Sequence, residues 1–252
     1  MRQTIRRFLK GQVLKRLAEP ALVAVLMACA TTAIAQPFYV PSGSMEPTLR
    51  IGDAFIASKY PYGFSRWSLP YGLGPASQAR LFGAMPRHGD VVVFRAPGNP
   101  RVTLVKRVIG LPGDRIAMRA GRLVINGAAL PLTPAGLGQV ENHDGTKEPV
   151  AQFIEELPGG ARHPIFKWQA NGPLDTMATR TVPSGHVFVM GDNRDNSLDS
   201  RVPLAEGGVG MVPVENLMGR AEMVVGSYDF LAVHSVHDWL GQFRLSRFLH
   251  AL

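Results

Sequence analysis

Cysteine is almost absent from this chain: Cys29 is the single one, inside an apolar stretch. No intrachain disulfide can form, and no cysteine metal site can be built. An exported domain of this chain therefore stands on its core alone, which 252 residues suffice to supply. Charge is sparse as well, at 18% of residues against 46% hydrophobic, and that balance excludes a disordered composition. Acidic residues are in deficit, 19 against 27 Lys+Arg, for a net charge of +8. Such a surplus points to nucleic acid or to an anionic lipid surface. The chain lacks aromatics interleaved with basic residues on a strand, so no nucleic-acid partner is expected. Much of the surplus sits at the ends, in Arg2, Arg6, Arg7, Lys10, Lys15 and Arg16, then in Arg244 and Arg247. Membrane proximity explains that placement better.

Long apolar runs are missing from the chain after Val40, but one precedes it. Leu17 to Val40 is almost wholly apolar, with Glu19 and Gln36 near its ends. A bilayer core needs about 20 helical residues. A transmembrane anchor is expected over residues 17–38, with residues 1–16 as a basic cytoplasmic segment. Residues 39–252 then lie outside the cytoplasmic (inner) membrane. A cleavable signal peptide competes with this reading, because Ala33-Ile34-Ala35 has the small-x-small form of a cleavage site. The length of the basic region and the apolar run through Pro37, Phe38, Tyr39 and Val40 favour an anchor.

Glycine (27) and proline (20) are plentiful, which favours short strands and loops over long helices. Strands are predicted at Asp53 to Ser58, Asp90 to Phe94, Arg101 to Ile109, His186 to Met190 and Leu217 to Val225. A hairpin is predicted from Arg115 to Met118 and Leu123 to Ile125 around Ala120-Gly121, followed by an Asn126-Gly127 turn. Residues from about 119 to 183 show weaker patterning and read as an insertion or subdomain, with short strands near Phe153 and Phe166. The expected fold is mainly β, an antiparallel domain behind a single N-terminal transmembrane helix.

Three segments carry chemistry. In the strand Arg101 to Ile109, alternation puts Val102, Leu104, Lys106 and Val108 on one face and Arg107 on the other. A lysine among aliphatics loses solvation of its charged form and becomes a usable base near neutral pH. Parity alone does not separate that base from a lysine that snorkels its head to water. In Pro41 to Leu49, Pro41, Gly43 and Pro47 stiffen the chain around Ser42 and Ser44, so a hydroxyl and backbone N–H groups can be presented together, as acyl transfer requires. Gly191 to Arg201 packs charges of both signs and hydroxyls into one loop after an apolar strand. A calcium loop starting at Asp195 is disfavoured, since Ser200 stands where glycine is required and no helical pattern flanks it. No metal and no cofactor is expected.

Taken together and in order, these segments resemble the signature boxes of bacterial type I signal peptidases, a serine–lysine peptidase family. Pro41 to Leu49 is similar to the nucleophile box, Lys106 to Asp114 to the lysine box, and Gly191 to Arg201 to the third box; Gly89 to Phe94 also matches. The resemblance implies Ser44 as nucleophile and Lys106 as its base, a recognised variant of the serine hydrolase scheme. It implies that Ser42 assists the oxyanion hole, Ser197 orients the lysine, and Asp199 and Arg201 support the site as an ion pair. It places Val40, Met45, Leu49 and Val105 along the substrate clefts. The implied partners are exported preproteins and the lipid bilayer, and the implied activity is removal of signal peptides after a small-x-small sequence. Glu46 departs from the family pattern, which has an apolar residue there. Other readings are a different serine–lysine enzyme, such as a self-cleaving repressor or pilus-maturation peptidase, and a catalytically silent envelope-binding protein. The segment Trp239 to His250 fits either membrane contact or core packing.

Overall fold

The computed structural model describes residues 34–68, 80, 82–142, 146–229 and 242–252, together with Ala18, Pro20 and Leu22. Ala18, Pro20, Leu22 and Ile34 are helical. Fifteen strands follow in order: β1 (Ala35–Tyr39), β2 (Asp53–Ser58), β3 (Val91–Ala96), β4 (Asn99–Gly110), β5 (Arg115–Arg119), β6 (Arg122–Ile125), β7 (Ala128–Ala129) and β8 (Leu132–Glu141). Then come β9 (Lys147–Glu156), β10 (Arg162–Lys167), β11 (Met177–Thr181), β12 (His186–Met190), β13 (Val212–Pro213), β14 (Leu217–Ser227) and β15 (His250–Ala251). The strands form an eight-stranded sheet in the order β1-β2-β14-β3-β4-β12-β13, with β15 beside β14, and two smaller sheets, β10-β9-β8 and β11-β5-β6-β7. Every strand pairing is antiparallel.

The large sheet buries both faces, which is why β3 reads as the unbroken apolar run Val91-Val92-Val93-Phe94. Val91 and Val93 pack with Val40, Met45, Leu49, Phe55, Met218 and Val224 on one face. Val92 and Phe94 pack with Val108, Val187, Val189, Val212 and Leu217 on the other. A third cluster joins Ile109, Phe188 and Met190 to Ile116, Met118, Leu123 and Ile125, seating the four-stranded sheet against the ends of β4 and β12. The hairpin β5-β6 closes through Ala120 and Gly121, both at positive φ, and Asn126 and Gly127 repeat that geometry at the next turn.

Two expectations need correction. Residues 35–38, the end of the expected anchor, are strand: they belong to β1, where Phe38 stacks on Phe55 at 5.7 Å between ring centroids. Most of the rest of the expected anchor lies outside the described residues, as do Trp239, Leu240 and Gly241; further along that C-terminal stretch, Arg244 and Arg247 pair with Glu141 and Asp53. Among the described residues, no helix is long and apolar enough to cross a membrane. The region from 119 to 183 is also more regular than its pattern suggests. β8 and β9 are ten residues each and pair along nearly their whole length. Most of β8 faces solvent, so it shows no buried alternation, and Pro134, Gly136, Gly138 and Pro149 interrupt any strand signal. Gly138 has a packing reason: a Cβ there would collide with the Phe166 ring.

This meander is not an appendage. Phe166 N–H donates to the Asp192 carbonyl and Arg194 N–H to the Phe166 carbonyl, at 2.9 and 3.0 Å, a parallel bridge between β10 and the loop after β12. Arg194 also meets Glu155 of β9, a pair in which both side chains are about 2% exposed. Removing one member strands a buried charge, whereas replacing both with apolar groups does not. Arg194→Ala is expected to lower the unfolding free energy by about 3–5 kcal/mol. Glu155→Leu combined with Arg194→Met recovers most of that loss, as read from denaturant midpoints of the purified chain.

Candidate active site

The three chemical segments meet. Ser44 lies in a single 3-10 turn, Gly43–Met45, anchored by the buried Met45 side chain. From the opposite side the loop after β12 grips this turn by its backbone: Asn193 N–H donates to the Ser44 carbonyl at 3.2 Å, and Asn193 Nδ2 to the Gly43 carbonyl at 3.1 Å. That approach needs Gly191. A Cβ there would overlap both the Ser44 carbonyl and the Ser197 side chain.

Lys106 comes in from β4. Its Nζ lies 2.6 Å from Ser44 Oγ and 3.1 Å from the Val105 carbonyl. The lysine is buried, at 4% exposure. Burial drives its pKa down from 10.5 to about 8, Asp199 and Asp192 partly oppose that fall, and Arg201 reinforces it. The amine therefore reaches its neutral form at moderately alkaline pH, within hydrogen-bond reach of a hydroxyl. Arg107, next along the strand, points the other way as parity requires, but into the interior rather than to water. It holds Asp192 through two nitrogens, at 2.8 and 2.7 Å, and the Gly89 carbonyl at 2.7 Å. Thr48 Oγ1 donates to the same Asp192 carboxylate at 2.5 Å.

Asp199 and Arg201 form a buried two-point pair, at 2.9 and 2.8 Å, and Asp199 also accepts Gly191 N–H at 3.0 Å. Those donors hold the Asp199 carboxyl below its usual range against the opposing effect of burial. Ser197 sits beside the Ser44–Lys106 pair in the same cavity, of about 390 Å3, but its buried Oγ has no hydrogen-bond partner among the described residues. The expected bond from Ser197 to Lys106 is not formed, because Nζ is engaged with Ser44 and Val105. Ser42 is exposed and borders both this cavity and a smaller one of about 140 Å3. Val40 and Val105 line the smaller one, together with Phe38, Phe55, Val93 and Leu104. Met45 and Leu49 are fully buried in the cluster behind its walls and are not among its lining residues. Glu46 is buried too, and its carboxyl is pushed up to about 7 by burial and then by the charge of Glu141.

Sequence reasoning missed Asn193 and the Arg107–Asp192–Thr48 contact. The only signal for the second was an arginine at a strand position whose neighbours are apolar. Among the described residues, no group of three or more His, Cys, Asp or Glu is arranged to hold a metal ion.

The family described as signal peptidase, peptidase S26, matches residues 14–226. The chain belongs to this family. Its enzyme class is accordingly a serine-type hydrolase, signal peptidase I. A protein named Signal peptidase I from Rickettsia typhi is 38% identical over 76% of this chain and 72% of its own length. One of the same name from Pseudomonas aeruginosa is 37% identical over 75% of this chain and 63% of its own. A solved signal peptidase I from Enterococcus faecalis V583 is 25% identical, covering 54% of this chain and 97% of that one, with a TM-score of 0.32, too low to compare the folds.

Since Ser197 Oγ gives up no hydrogen bond when it is removed, Ser197→Ala is expected to leave stability within about 0.5 kcal/mol of wild type. Thermal unfolding of the two proteins checks this directly.

Proposed function

We propose that this chain is a membrane-anchored endopeptidase that removes N-terminal signal peptides from exported preproteins, using Ser44 as nucleophile and Lys106 as general base. The observation that carries the reading is the 2.6 Å approach of Lys106 Nζ to Ser44 Oγ by an amine whose pKa lies near 8. The names of the relatives support the substrate class.

The chemistry follows from those two atoms. Ser44 Oγ bonds to the scissile carbonyl carbon while its proton passes to the Nζ lone pair. The Ser44 backbone N–H and the Ser42 hydroxyl face the developing oxyanion. When the C–N bond breaks, the Lys106 ammonium returns the proton to the leaving amine, and an ester to Ser44 remains. Water, deprotonated by Lys106, then attacks that ester and releases the new carboxylate, and Ser44 regains its proton. The Asp199–Arg201 pair keeps the third-box loop rigid behind the lysine.

Specificity follows from shape. The smaller cavity is narrow and apolar, with Val40, Phe55, Val93 and Val105 in its walls. It suits the small side chain that precedes the cut. Among the described residues β1 ends the sheet on this side, so an extended peptide can align beside it. Ile34 and Ser44 are ten positions apart, so an anchor before β1 keeps the nucleophile near the lipid surface, where a signal peptide's cleavage site also lies. The anchor, ending before β1, leaves the N-terminus in the cytoplasm and the catalytic domain outside.

Ser44→Ala and Lys106→Ala are each expected to abolish preprotein cleavage in detergent while retaining the wild-type unfolding transition; wild-type rates in Lys106→Ala would sink the dyad. The pH profile has a definite sign. Lys106 works as the free amine, so activity rises with pH through about 8 and falls roughly tenfold per unit below it. A flat profile between pH 6 and 9 contradicts the assignment. For topology, protease added to spheroplasts is expected to digest the region after Val40, and full protection of that region rules out the proposed orientation.

A further inference from the structure

Ser44 stands between two cavities. The smaller is the apolar one already described. The larger, about 390 Å3, is bordered by Leu104, Leu174, Asp195, Asn196, Ser197 and Leu198. Ser42, Ser44, Leu104 and Lys106 border both. An extended peptide whose carbonyl carbon rests on Ser44 Oγ places side chains on each side of that atom. With the residue before the cut in the smaller cavity, the larger one falls to residues after it. Lys106 borders that side as well, where the leaving amine needs a proton.

Leu174 comes from the turn between β10 and β11, within the region to which the sequence assigned no role. That turn is firmly staked. Asp175 Oδ2 accepts Gly172 N–H at 2.8 Å, and the Asp175 carbonyl accepts Gly121 N–H at 3.0 Å. Lys167 bonds Asp175 and reaches Asp195 of the third-box loop at 3.3 Å. Asp195 Oδ2 in turn accepts Trp168 N–H at 2.8 Å and Gln169 N–H at 3.1 Å. Leu174 is half-buried and fixed from both flanks. The same bonds occupy both Asp195 oxygens, although Lys167 is shared between two carboxylates and the cluster keeps a net negative charge. The cavity offers an incoming side chain three leucines, Leu104, Leu174 and Leu198.

We propose that the larger cavity receives the side chain immediately after the scissile bond, that it favours apolar residues there, and that Leu174 sets the size it accepts. The proposal rests on the peptidase reading above. It gives the meander a function, since that region holds one wall of the cavity that receives the mature end of the substrate.

The test uses the full chain in detergent micelles and a preprotein series that differs only in the residue after the cut: Ala, Leu, Phe or Asp. Wild type is expected to process the Leu and Phe forms at least as fast as the Ala form, and the Asp form more slowly. Leu174→Trp fills the cavity and lowers kcat/KM for Leu and Phe about tenfold while leaving Ala within about twofold. Leu174→Ala enlarges it and raises the Phe-to-Ala ratio, so the proposal does not depend on one variant folding. Equal slowing of every substrate by Leu174→Trp together with an unchanged ratio in Leu174→Ala overturns it. A second series, varied only in the residue before the cut, reads the other side: a preference changed there by Leu174→Trp overturns the proposal too, by assigning the cavity to that side. Failure of wild type to cleave any member is a separate outcome that rejects the peptidase reading itself.

Discussion

The buried carboxylate of Asp192 is the contact on which the site depends. Arg107 of β4 holds it through two nitrogens, Thr48 of the segment after the Ser44 turn donates to it, and its own backbone carbonyl accepts the N–H of Phe166 in β10. Four segments far apart in the chain therefore converge on one residue. A carboxylate this deep is tolerable only when donors surround it, and here they hold its pKa low although burial pulls the other way. The surrounding apolar clusters would pack adequately under small shifts. The directional bonds to Asp192 would not, and they fix where the Ser44 turn lies against β4.

The same interior sets the character of Lys106. An amine so fully removed from water would lose its proton readily, and two buried carboxylates oppose that tendency. Arg201 neutralises much of the nearer one by pairing with it. The result is a base whose pKa lies close to working conditions, produced by competition between desolvation and a balanced set of fixed charges. Among the described residues, no carboxylate bonds to the lysine itself. A direct ion pair would hold the proton on Nζ and remove its capacity to accept another.

How much of this was legible depended on whether the signal was local. β2 and β12 occupy the segments expected for them, because flanking turn residues and apolar runs mark both ends. The β5-β6 hairpin was readable from Ala120-Gly121 and Asn126-Gly127, whose backbone requirements are written into the residue types. β8 was not readable, since a solvent-facing strand carries no buried alternation, and of the ten-residue β9 only a short strand near Phe153 was expected. In the site, Ser44 and Lys106 were indicated by motif order, while parity contributed only that Lys106 and Arg107 diverge. Parity put Arg107 on the opposite face but could not tell its burial, and a sheet buried on both faces has no outward side at that position. Asn193 fell within the loop singled out as the third box but carried no legible role, and Leu174 left no trace: what they do depends on which loops the fold brings together.

The divergence of Lys106 and Arg107 has a consequence for how such a chain can vary over time. The two side chains serve opposite faces of one strand, the first toward a reacting hydroxyl and the second toward a structural carboxylate. A single-residue insertion or deletion within β4 would exchange them, aiming a permanent cation at Ser44 and an easily neutralised amine at Asp192. Such a lesion would damage chemistry and architecture together, however conservative its composition. Length changes can accumulate in this chain's solvent-facing loops, but the stretch from β4 into Gly110 must keep its count.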